Sequence, residues 1–199
     1  MFRLFSYNTT ENKHFGVNMN KFAIPVLLAF SFFGLFGGGE KLQMQSQNLS
    51  KRDFSGRNLT ESNFTGADLT NTNLSNTNLQ KVTFDNADMS YANVRKANLR
   101  NASFSGTVIY SADFSYSDLS NISLKGQNLV NVNFDGANLS GADFSECNLT
   151  GATFNGSVLD KATFYNAAVT LEQLYGAKSL KDTILPFGSK YQSADKKKK

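Results

Sequence analysis

Residues 59–80 read LTESNFTGADLTNTNLSNTNLQ, and within them Leu59, Phe64, Leu69, Leu74 and Leu79 stand five apart. The register runs on in both directions without an insertion. From Met44 to Val169 all 26 fifth positions are apolar: 12 Leu, 9 Phe, 2 Met, 2 Val and Ile109. With a hydrophobic content of 40%, chance would give such a run with a probability on the order of 10⁻¹⁰, so the period is a structural instruction. Two residues before each apolar position runs a second ladder. Between Ser62 and Ala167, 18 of its 22 members are Ala, Ser, Thr or Cys, the exceptions being Val82, Ile122, Gln127 and Val132. Asn or Asp commonly stands between the two ladders (Asn58, Asp68, Asn98, Asp118, Asn138), and Ser or Thr usually follows the apolar residue.

A period of five fits neither an α-helix at 3.6 nor a flat strand at 2. The unit Ala-(Asp/Asn)-(Leu/Phe)-(Ser/Thr)-X, as in Ala67-Asp68-Leu69-Thr70 and Ala142-Asp143-Phe144-Ser145, resembles that of the pentapeptide repeat family. The resemblance covers about two thirds of the chain. It implies an all-β solenoid, a right-handed quadrilateral β-helix with one pentapeptide per side, and it is specific for fold but weak for function. Four fives make a turn of 20, which the residues test independently. One column reads Leu59, Leu79, Leu99, Leu119, Leu139, Leu159, and the next Phe64, Phe84, Phe104, Leu124, Phe144, Phe164. About six coils at ~4.8 Å give a rod roughly 30 Å long, with Leu59, Phe64, Leu79, Phe84, Leu99, Phe104, Leu119 and Phe144 as core. Each such side chain contributes on the order of 1.5–3 kcal/mol when buried. Gly at the fifth position, as at Gly56 and Gly151, allows turn dihedrals barred to other residues.

The flanks read differently. Phe22 to Gly39, FAIPVLLAFSFFGLFGGG, carries no charge and follows Lys21. Its strongly apolar part, Phe22 to Phe36, is short for a membrane span and suits a secretory signal, with small residues Gly37 to Gly39 where a peptidase would cut. Residues 1–39 are therefore expected to be a leader, cleaved or kept as a membrane anchor, starting at Met1 or at Met19. Residues 40–48 form a lead-in, 49–169 the β-helix, 170–186 a C-terminal helical cap and 187–199 a disordered basic tail. Gln47, Arg52 and Arg57 occupy the ladder that should be small, which predicts an imperfect, more open first coil. Thr170-Leu171-Glu172-Gln173 has the form of a helix capping box, and a helix there would cover the open end of the stack.

The net charge of +4 is unevenly placed. From Leu49 to Val169 there are 9 Lys and Arg against 11 Asp and Glu, so the repeats lack the basic stripe of a nucleic-acid binder. The single Cys, Cys147, excludes an internal disulfide, and it sits in the small inward ladder where packing explains it. The repeats contain no His, and each Asp recurs at a turn-bonding place in the unit. No catalytic residue, cofactor or metal ligand is assigned, and an enzyme is not expected.

The outward apolar residues carry more information. Tyr91, Val108, Tyr110 and Val130 fall on the side that carries Met89, Ile109 and Leu129, and they form a candidate interaction patch. Arg95, Lys96 and Arg100 cluster round the next corner, where a solvated face is the ordinary reading. The expected function is a non-enzymatic structural or protein-interaction module, exported to a periplasm or thylakoid lumen. Its partner is an unidentified protein or, in a homodimer, a second copy, and its leader contacts membrane or export machinery. The alternative is a DNA-mimicking binder of a topoisomerase such as DNA gyrase, implied by one branch of the family. The near-neutral, uninterrupted repeats and the leader speak against it.

Overall fold

Parallel pairing with an offset of 20 residues organises the chain: Asn58 pairs with Asn78, Asn78 with Asn98, Asn98 with Asp118 and Asp118 with Asn138. A computed structural model describes residues 41–192. The fold is a right-handed quadrilateral β-helix of about six coils, its ladder running from Gln43 to Ala168. The expected leader over 1–39 and the far end of the basic tail lie outside the described residues. Among the described residues no helix is long and apolar enough to cross a membrane.

Each pentapeptide makes one side and one corner. The apolar residue donates its N–H upward to the next coil, as Leu79 does to the Asn98 carbonyl at 2.7 Å. The residue before it donates downward, as Asn78 does to Arg57 at 2.9 Å. A bond across the corner, such as Ala87 N–H to the Phe84 carbonyl at 2.9 Å, closes each turn. The residue two after the apolar one takes the left-handed conformation, from Asn71 (φ 57°) and Asn76 (φ 57°) to Gly66 (φ 65°) and Gly151 (φ 73°). Asn tolerates that region because its side chain bonds locally, and Gly because it has no Cβ. The Asn or Asp before the apolar residue locks the same corner: Asp143 Oδ1 accepts from the Ser145 N–H at 2.8 Å.

We number the sides in chain order by their inward columns: first through Leu49 and Leu149, second through Phe54 and Phe154, third through Leu59 and Leu159, fourth through Phe64 and Phe164. Leu59, Phe64, Leu79, Phe84, Leu99, Phe104, Leu119 and Phe144 are all buried. Rings stack along the sides, Phe64 on Phe84 at 5.7 Å and Phe144 on Phe164 at 5.0 Å. Where the small ladder is polar, its hydroxyls bond main-chain carbonyls, of the coil below in Thr107 Oγ1 to Phe84 at 2.9 Å and Thr77 Oγ1 to Phe54 at 3.2 Å, or of their own turn in Ser157 Oγ to Phe154 at 2.7 Å. A buried hydroxyl so bonded avoids the cost of desolvation.

Both ends differ in detail from the sequence-based boundaries. Gln43 and Asn48 already pair with Asn63 and Asp68, so the lead-in belongs to the first coil. That coil is regularly bonded, with Asp68, Asn73 and Asn78 donating to Gln47, Arg52 and Arg57, each at 2.9 Å. Helix α1 spans Leu171–Tyr175, with Thr170 and Gln173 forming the reciprocal capping box. Gln173 Nε2 also donates to the carbonyls of Leu149 (2.9 Å) and Ala152 (2.8 Å), so the cap bonds the open end directly. The helix is shorter than the expected lid because the chain returns to coil geometry. Ser179 pairs over Val158 and Ile184 over Thr163, one residue out of the earlier offset, and Leu174, Leu180 and Leu185 are buried. Ile184 then pairs antiparallel with Lys190, so the start of the expected tail is folded back.

Candidate interaction surface

The corners identify the unusual residues. On a background of Asn, Gly and other polar residues, Tyr91 and Tyr116 hold the left-handed position, each with φ 60°. For an L-residue that conformation costs about 1–2 kcal/mol, and core packing does not compensate, since Tyr91 is 56% and Tyr116 59% exposed. The Tyr91 ring meets the Tyr110 ring edge to face at 5.5 Å and 82°. Such a pair contributes about 0.5–1.5 kcal/mol beyond its burial. Tyr110 is itself exposed, and its Oη accepts from Asn131 Nδ2 at 3.4 Å. Val108 is exposed on the same side and Val130 half-buried, one coil above Tyr110. The first side and the corner that follows it therefore carry Tyr91, Val108, Tyr110 and Val130 together.

A second aromatic group escaped the sequence reading. Tyr116 lies at the corner between the second and third sides, with the Arg95 guanidinium 5.7 Å from its ring centroid. Directly above it is Gly136, where a Cβ would stand 2.6 Å from ring atoms of Tyr116. The signal was available: Tyr116 occupies the same place in its pentapeptide as Tyr91, five repeats later. Tyr165 and Phe187 are also exposed, far along the chain from this group.

The basic cluster beside it is largely neutralised. Arg95 Nη1 lies 3.1 Å from Asp113 Oδ2, and Arg100 Nε lies 2.7 Å from Asp118 Oδ2. Burial pushes the Asp118 carboxyl up, but bonds from Ser120 and from Arg100 outweigh it and hold the group below the usual carboxylate range. Glu61, fully exposed, is likewise held low by Lys81 and Lys41, one coil above and one below.

Other candidate chemistry has ordinary explanations. Cys147 is buried, its Sγ donates to the Leu124 carbonyl at 2.8 Å, and burial pushes its thiol up to about 11. A thiol so protonated is a poor nucleophile. A shallow depression is lined by Asn121, Ser140, Gly141, Asp160, Lys161 and Lys181. Its one carboxylate, Asp160, already accepts from the Ser179 hydroxyl and from the Lys181 N–H. No cluster of three or more His, Cys, Asp or Glu able to hold a metal ion occurs among the described residues.

Comparison with known proteins agrees with this geometry. A family model for a pentapeptide repeat region matches residues 43–114, and one for pentapeptide repeats in eight copies matches 109–145 and 137–170. Among solved structures, QnrB1, a plasmid-mediated fluoroquinolone resistance protein, is 19% identical, with 70% of this chain and 86% of that one covered at a TM-score of 0.34. A pentapeptide repeat protein from the Arabidopsis thaliana thylakoid lumen is 26% identical, covering 69% and 81% at a TM-score of 0.37. HetL, involved in heterocyst differentiation regulation in Nostoc sp. strain PCC 7120, is 22% identical, covering 76% and 92% at a TM-score of 0.24. Among curated proteins none matches the sequence. With square coils of five-residue sides, and family models matching from residue 43 through residue 170, the chain belongs to the pentapeptide repeat family.

Proposed function

We propose that this chain is a non-enzymatic protein-interaction module that docks another protein on its first side, through Tyr91, Val108, Tyr110 and Val130. The observation that carries the reading is Tyr91, a large ring held in a left-handed corner and left 56% exposed. The left-handed corner belongs to the register and is shared by exposed Lys51, Glu61 and Lys161; what sets Tyr91 apart is its exposed ring, and exposed aromatic residues are what protein interfaces use as anchors. Val108, Tyr110 and Val130 give that anchor an apolar surround on a wall that is otherwise polar. The leader read from Phe22 to Gly39 supports export, to a periplasm or thylakoid lumen, as the setting for this module.

The test replaces Tyr91→Asn, Tyr110→Ser and Val130→Ser together, all residue types that the register uses elsewhere. Crosslinking in the compartment where the chain is found, with sedimentation of the purified protein, reads partner capture and self-association separately. Loss of capture with an unchanged melting curve supports a docking wall, and loss of a dimer alone identifies the partner as a second copy. Unchanged association in both measurements removes the first side from consideration.

A further inference from the structure

Among the described residues the ladder of the β-helix is broken in the middle of the rod. Below it, Leu99 donates to the Asp118 carbonyl at 2.9 Å; beyond it, Ser111 donates to Val130 at 3.1 Å and Phe114 to Asn133 at 2.8 Å. Between these points the pattern calls for six bonds joining residues 101–109 to residues 120–128. None is formed among the described residues: the N–H groups of Asn101, Phe104, Gly106, Ile109, Ser123 and Asn128 lack the carbonyls that their counterparts have one coil earlier. The pairings of Ser103 with Ser123 and of Val108 with Asn128 are missing accordingly, while Asn98 with Asp118 and Asp113 with Asn133 are kept. Two successive coils are thus joined on the second and third sides and parted on the fourth and the start of the first.

The cause is legible in the side chains at the break. The small ladder carries Ile122 and Gln127 at successive corners, and Gln127 Nε2 donates to the Phe104 carbonyl at 2.7 Å. At intact junctions the same bond is made by a short group: Thr107 to Phe84 at 2.9 Å and Cys147 to Leu124 at 2.8 Å. A glutamine amide reaches about two bonds further than a threonine hydroxyl, so its own turn must stand further from the carbonyl it holds. Ile122, buried where Ala or Ser is usual, adds bulk at the neighbouring corner. Val82 and Val132, single exceptions, leave the ladder to the coil below them closed: Thr83 donates to Ser62 at 3.0 Å and Asn133 to Ala112 at 3.0 Å. The mouth is unobstructed, because the corner opposite the joined sides carries Gly106 below and Gly126 above, both exposed.

We infer that this break is a hinge built into the rod. The two halves rock about the corner shared by the second and third sides. The Gln127 amide is the latch across the opening, and water takes up the six free N–H groups, which cannot stay unbonded. Because each repeat touches only its neighbours, motion at one junction need not disturb the coils on either side.

Amide hydrogen exchange of the full chain tests this. The amides of Asn101, Phe104, Gly106, Ile109, Ser123 and Asn128 should exchange at least about 100-fold faster than their equivalents one coil earlier, Lys81, Phe84, Asn86, Met89, Ser103 and Val108. Replacing Ile122→Ala and Gln127→Thr together should close the ladder and slow the six by at least about tenfold, leaving the other coils unchanged. Equal protection of the two sets in the parent overturns the hinge. If the double variant folds and its six amides stay fast, the wedge is wrongly assigned. If it does not fold, Gln127→Thr alone and the parent comparison still decide.

Discussion

Phe134 is the most demanding test of the packing, because it sits at the centre of a ring stack. It is fully buried, with Phe114 below at 5.8 Å and 23° and Phe154 above at 5.4 Å and 14°. Phe144 meets it edge to face at 5.5 Å and 74°. Truncating a buried Phe to Ala typically costs 3–5 kcal/mol, the larger values arising where the site cannot collapse. Here the wall on each side is held by ladder bonds, Phe134 N–H to Thr153 at 2.9 Å and Phe114 N–H to Asn133 at 2.8 Å, so the cavity persists. Three ring partners, each contributing about 0.5–1.5 kcal/mol beyond burial, are lost at once. Phe134→Ala should therefore cost about 4–5 kcal/mol, a fall in melting temperature of roughly 8–20 °C for a domain of this size. Phe134→Leu, which keeps most of the volume, should cost about 1–2 kcal/mol. Guanidinium unfolding followed by far-UV circular dichroism measures both. A loss below about 2 kcal/mol for the alanine variant, or equal losses for the two, would refute a solid core of stacked rings.

Four further outcomes follow from the same geometry. Gly151→Ala crowds the Asn131 amide oxygen, whereas at Gly56 nothing lies within 4 Å; the exposed Asn131 side chain can swing aside, so both variants should cost chiefly the left-handed penalty of about 1–2 kcal/mol, Gly151→Ala slightly the more by the same denaturation assay. Tyr91→Asn should change stability by less than about 1 kcal/mol, since relieved backbone strain offsets the lost Tyr110 contact, and a larger loss would make Tyr91 a folding residue rather than a docking one. Cys147, its thiol pushed up to about 11 by burial, should resist a thiol reagent at pH 8 until denaturant unfolds the chain; rapid native labelling would contradict its place inside. Asp118, held low chiefly by Ser120 and Arg100 against the opposing effect of burial, contributes stability that is complete above the ordinary carboxylate pKa of about 4. That contribution is lost as the pH falls through the folded value, so Asp118→Asn should flatten the acid limb of the stability curve below about pH 5, and coincident acid limbs would count against it.

The square coil could be read from the residues because one rule repeats at every corner. Leu99 and Phe104 announce an interior by recurring with period 20, and Asn71 or Gly66 announces a left-handed corner by residue type alone. Tyr91 was legible as an anomaly of pattern, but its strain was not, since a dihedral angle leaves no trace in composition. Tyr116 stood in the same register and went unremarked, because its partners, Arg95 and Gly136, come together only once coils are stacked.

The break at residues 101–128 shows why an unbroken period does not guarantee an unbroken ladder. Spacing controls which residues stack, and here it is perfect; coil separation is controlled by what projects between the coils. Gln47, Arg52 and Arg57 also violate the small ladder. The ladder above them is closed and regular, as is the ladder above Gln127, where Asn148 donates to the Gln127 carbonyl at 3.0 Å; the junction below Gln47, Arg52 and Arg57 lies outside the described residues. Gln127 has coils on both sides and a carbonyl within reach, Phe104 at 2.7 Å, so its length is spent as separation. The expectation of an open first coil is not met on its upper side, where Asp68, Asn73 and Asn78 close the ladder. A long polar side chain in the inward ladder parts the coils at the junction beneath it, where it reaches down to a carbonyl.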